Sequence, residues 1–73
     1  MLTEQQARLA LKGLIEKYLK GVDPDYDLLV EIMEDPSQQV PVRGVLEDIR
    51  QFNNVQYTQH ELDLIDDLLY MYG

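Results

Sequence analysis

The stretch TQHELDLIDDLLYMY, residues 58–72, decides how this chain folds. Thr58 offers the side-chain oxygen of a helix N-cap, and Glu61, three residues on, can return a bond to the Thr58 backbone, the reciprocal pair of a capping box. Tyr57 before the cap and Leu62 after it are spaced as a hydrophobic staple. At about 100° per residue, Leu62, Leu64, Ile65, Leu68, Leu69, Met71 and Tyr72 share one half of the cylinder, and His60, Asp63, Asp66, Asp67 and Tyr70 share the other. Such a helix must bury its oily half against something and turns its carboxylates to solvent.

The preceding chain supplies what it packs against. Thr3 and Gln6 repeat the capping box, with Leu2 and Ala7 as a weaker staple. Ala7, Ala10, Leu11, Leu14, Ile15, Tyr18 and Leu19 then form an apolar side, while Arg8, Lys12, Glu16 and Lys20 form a row on the other. Gly21 is a natural stop; Gly13, inside the helix, reads as an ordinary tolerated glycine costing roughly 1 kcal/mol relative to alanine.

A second helix is expected to open with Asp23 as cap and Pro24 at its first position. Its apolar side is Leu28, Leu29, Ile32 and Met33, with Tyr26 and Val30 at the margin; its other side is Asp27, Glu31, Glu34 and Asp35. Those carboxylates repel one another, and Glu34 and Asp35 sit at the end of the helix dipole that disfavours anions. Nothing local favours that arrangement before Pro36 ends it. Pro41 opens a third helix with Val42, Val45, Leu46, Ile49 and Phe52 as its core side and Arg43, Glu47 and Arg50 along its surface, ending at Asn53 and Asn54.

The periodicity therefore predicts helices over about 3–20, 24–35, 41–53 and 59–72. The fold class is all-α: one small helical domain spanning 1–73, a compact bundle of four short helices, with three helices and a docked or dimerising fourth as the alternative. A chain of 73 residues supports one core, and 45% hydrophobic content is enough to make it fold despite a net charge of -8. There is no cysteine, hence no disulfide or thiolate site. No secretory signal and no membrane-spanning run is evident, so a cytoplasmic location is expected.

The charge is unevenly spread. Up to Val22, Arg8, Lys12, Lys17 and Lys20 outnumber Glu4 and Glu16; from Asp23 onward only Arg43 and Arg50 stand against all the remaining acidic residues. A surface of this sign repels phosphate backbones and anionic headgroups, which argues against direct binding to nucleic acid or a membrane and for a basic protein partner.

Few residues offer chemistry. Asp23, Asp25 and Asp27, with Val30 and Glu34, fall at the ligand spacing of a calcium-binding EF-hand loop, but Leu28 stands where that loop needs glycine and Pro24 stiffens its start. His60 with Asp63 and Asp67 lies along one side of the last helix, yet a single histidine in a first turn is more often plain surface. Ser37, the one serine, has no evident base beside it, and no phosphate-cradling glycine loop is present. No catalysis, cofactor or metal is expected. The functional expectation is a small regulator or inhibitor that docks on a basic protein surface through Asp27, Glu31, Glu34, Asp63, Asp66, Asp67 and Tyr70. Three alternatives stand beside it: acidic faces that serve solubility only, a nucleic-acid mimic that blocks a nucleic-acid-binding protein, and a homodimer or assembly protein pairing the basic row of the first helix with an acidic face of a second copy.

Overall fold

The computed structural model describes residues 2–72 and contains α1 (Glu4–Tyr18), α2 (Tyr26–Glu34), α3 (Val42–Phe52) and α4 (Gln59–Tyr72). No strand occurs among the described residues, so the all-α bundle stands. α2 and α3 both pack on α1, and α4 packs on α3. The core runs from Ala7, Leu11, Leu14, Ile15 and Leu19 of the first segment through Met33, Val42, Val45 and Ile49 to Ile65 and Leu68.

Both capping boxes form. Thr3 Oγ1 accepts from the Gln6 N–H at 3.1 Å, and Gln6 Oε1 accepts from the Thr3 N–H at 2.9 Å. At α4 the same exchange joins the Glu61 N–H to Thr58 Oγ1 and the Thr58 N–H to Glu61 Oε1. After α1 the chain turns at Gly21, whose φ of 77° suits a residue without a Cβ. Gly13 faces open space and permits no close helix approach.

Four expectations need correction. Asp23 does not cap α2. Its Oδ1 accepts from the Asp25 N–H at 2.8 Å, which holds Asp23 and Pro24 in a turn and delays the helix to Tyr26. Pro41 likewise precedes α3 as its N-cap residue. The third correction concerns rims of the apolar sides: Leu28 is 54% exposed and Leu62 42% exposed. Leu28 lies roughly 100° or more around α2 from Leu29 and Met33, at about 100° per residue, so the contact with α1 leaves it outside. Tyr57 sets its ring edge-on to Tyr18 at 5.6 Å. Phe52 is also left partly in solvent.

The fourth correction explains how α2 tolerates its own charges. Arg8 does not join a solvated row; it is buried and donates to the carbonyls of Ile32, at 3.0 Å, and of Gln38. A guanidinium at the end of α2 adds a charged donor to the Ile32 carbonyl, which also accepts from the Asp35 N–H, and offsets the dipole that Glu34 and Asp35 aggravate. Lys12 adds a second cation, 3.4 Å from Glu34. The cost seen locally in α2 is thus compensated by α1.

Candidate functional site

The expected partner-binding residues occupy two separate helices. Asp27, Glu31 and Glu34 are exposed on α2. Asp63, Asp66 and Tyr70 are exposed on α4, with Asp67 half-buried beside them. α2 packs mainly on α1 and α4 on α3, so the two groups sit on helices with different main packing partners.

On α4, Leu62, Asp66 and Tyr70 follow at four-residue intervals, and Asp63 lies next to that row. Tyr70 is 78% exposed. Asp63 accepts a bond from Gln59 Nε2 at 3.1 Å, which fixes its carboxylate near the start of the face. His60 is exposed, and no group of three or more His, Asp or Glu able to hold a metal ion forms among the described residues.

On α2, an open depression is lined by Leu28, Glu31, Ile32, Glu34, Asp35, Pro36 and Gln38. Its acidic rim is partly engaged, since Glu34 reaches Lys12. Asp35 accepts from the Ser37 hydroxyl at 2.7 Å and the Ser37 N–H at 2.9 Å, and these bonds hold its carboxyl below the usual range. Leu28 and Asp35 belong to this surface, although periodicity assigned the leucine to the core. The one available signal was that Leu28 is flanked in its helical neighbourhood by Glu31 and Asp35, at three and seven residues.

A second depression between α3 and α4 has an oily floor of Leu46, Val55, Tyr57, Ile65 and Leu69 with Arg43, Glu47 and Arg50 along it. No helix among the described residues is long and apolar enough to cross a membrane.

The cations of α1 are largely committed. Besides Arg8 and Lys12, Lys17 Nζ lies 2.8 Å from Glu61 Oε2, and Tyr18 donates its hydroxyl to Glu61 Oε1 at 2.8 Å. Lys17 and the bonds from Thr58 and Tyr18 hold the Glu61 carboxyl down to about 2 despite its burial. In turn Glu61 holds the Lys17 ammonium pKa up, and burial raises that of Tyr18. This network joins the start of α4 to the end of α1. Its carboxylate is buried, while Lys17 stays exposed at the rim.

No family model, no curated protein and no solved structure matches the chain.

Proposed function

We propose that the protein is a non-catalytic, cytoplasmic binding module, a small regulator or inhibitor that docks on a basic protein surface through its acidic helical faces. The observation that carries the reading is the apolar or aromatic side chain kept in solvent on each face: Tyr70 and Leu62 on α4, and Leu28 on α2. Solubility accounts for carboxylates at the surface, but it gains nothing from a tyrosine and two leucines among them. Carboxylates steer a basic partner and fix its orientation, while the exposed Tyr70 in the last turn of α4 supplies contact area at low rotamer cost. The α4 face is the stronger of the two, because Asp63, Asp66 and Asp67 pair with no cation among the described residues whereas Glu34 already does.

Self-association through the basic row of the first helix would rest on Lys20, since Arg8 and Lys12 serve the protein's own carbonyls and carboxylates while Lys20 is exposed and makes no ion pair among the described residues. A nucleic-acid mimic remains a special case of the same docking chemistry.

The test is capture of partners from the source cell at low and at high salt. Wild-type protein is compared with the Asp63→Lys, Asp66→Lys, Asp67→Lys triple variant and with Tyr70→Ala, each checked for helicity. The reading requires a partner that is retained at low salt, weakened by salt and lost with the triple variant. If charge reversal leaves every captured protein bound, the α4 face is not the site.

A further inference from the structure

Asp23 presents a problem the docking surfaces do not use. It lies in the turn between α1 and α2 and is only 6% exposed. Its Oδ1 is engaged by the Asp25 N–H, but its Oδ2 is buried and meets no donor. An ionised carboxylate with an orphaned oxygen is costly at such burial, and the usual remedies are a cation or a donor. No ion pair to Asp23 or Asp48 exists among the described residues. What lies within hydrogen-bonding reach is another carboxyl, that of Asp48 on α3. Two carboxylates so placed repel one another, whereas a carboxylic acid and a carboxylate make a short, strong bond.

We propose that Asp23 and Asp48 share one proton in the folded protein, Asp48 donating its O–H to Asp23 Oδ2, so that the pair is an acid-tightened latch between the α1–α2 turn and α3. The charged groups that act on Asp48 are Asp23 and Asp25 from the turn and Glu47 from its own helix, all negative. Lys17 of α1 is held by Glu61, and Lys20, just beyond α1, makes no ion pair among the described residues. Burial first, and then these anions, push the Asp48 carboxyl above its usual range.

The direction of the pH effect follows. A carboxyl whose value is raised on folding contributes stability that is fully present below its unfolded value, near 3.8, and is lost as pH rises through the folded value. The latch is closed at the acid end of this window and strained once the proton leaves.

The decisive measurement follows the side-chain carboxyl carbons of the full chain by NMR through a pH titration, with Asp23→Asn as the control. Asparagine keeps the oxygen that accepts from the Asp25 N–H, and its amide donates to Asp48 in place of the shared proton. The expected result is an Asp48 carbon that titrates above the ordinary aspartate range in wild type and falls by about one pH unit or more in Asp23→Asn. The wild-type curve alone is a sufficient test if the variant does not fold. An Asp48 that titrates in the ordinary range overturns the proposal, as does one indifferent to Asp23→Asn. So does a calcium titration in which micromolar ion moves both carbons, because the orphaned oxygen would then be a metal ligand.

Discussion

Glu61 and Asp23 are carboxylates of nearly equal burial, 7% and 6% exposed, set in opposite surroundings. Glu61 accepts from the Thr58 N–H, the Tyr18 hydroxyl and the Lys17 ammonium, so both its oxygens are satisfied and one is charge-paired. Asp23 satisfies one oxygen, its other is buried without a donor, and a second acid, Asp48, lies beside the residue. Burial therefore does not determine whether an acid helps the fold; the donors around it do. One end of α1 is fastened by a complete network, and the turn that follows carries an incomplete one.

Replacing each acid by its amide tests that difference with almost no change in shape. Glu61→Gln puts an NH2 group against Lys17, or against Tyr18 and the Thr58 N–H, setting donor against donor in a buried position. It is expected to cost about 2–3 kcal/mol in chemical denaturation. The same variant changes the acid response. Glu61, held at about 2 against an ordinary 4.5, contributes stability that is present above pH 4.5 and lost as pH falls through about 2. Wild type should weaken across that window, and Glu61→Gln should weaken much less. If the two denaturation profiles keep parallel slopes between pH 5 and pH 2, Glu61 is not the acid-sensitive group.

Asp23→Asn should move stability the other way. The new amide gives Asp48 a donor without a shared proton, and the Asp25 N–H keeps its acceptor. A gain of about 1 kcal/mol at pH 7 is expected, shrinking in acid, where the wild-type pair already holds its proton. A loss at pH 7 comparable to that of Glu61→Gln would mean that Asp23 is satisfied in a way its surroundings do not show.

The same contrast separates what the sequence could reveal from what it could not. Both capping boxes were legible because each is a bond between residues three apart, and Thr3, Gln6, Thr58 and Glu61 need only a helix to find one another. The four helices were legible for a related reason, their apolar periods being long and interrupted by proline and glycine. Arg8 was misplaced because its partners, the carbonyls near the end of α2, lie more than twenty residues away and leave no local trace. Asp23 was misread for the opposite reason. Asp-Pro is a good helix start and also a good turn, and the choice was made by a side-chain bond to Asp25 and by the approach of α3. Of the candidate site, the carboxylates and Tyr70 were legible as a polar face, but Leu28 and Leu62 were not, because a hydrophobic period gives a direction only to within a side chain's width.

The smallest effect is expected where the ion pair is shortest but wet. Arg50 lies 2.6 Å from Glu47, closer than Lys17 lies to Glu61, yet both partners are largely exposed and water screens them. Glu47→Gln should therefore leave stability at pH 7 unchanged to within about 0.5 kcal/mol. A cost near that of Glu61→Gln would show that separation, not burial and the number of donors, ranks these acids. Its informative effect lies elsewhere. Glu47 is one of the anions that raise Asp48, so removing its charge should let the Asp48 carboxyl titrate slightly lower, by less than Asp23→Asn achieves. That ordering, with the contact partner acting more strongly than the helical neighbour, is what a proton held between two particular oxygens demands, and a diffuse negative field would not produce it.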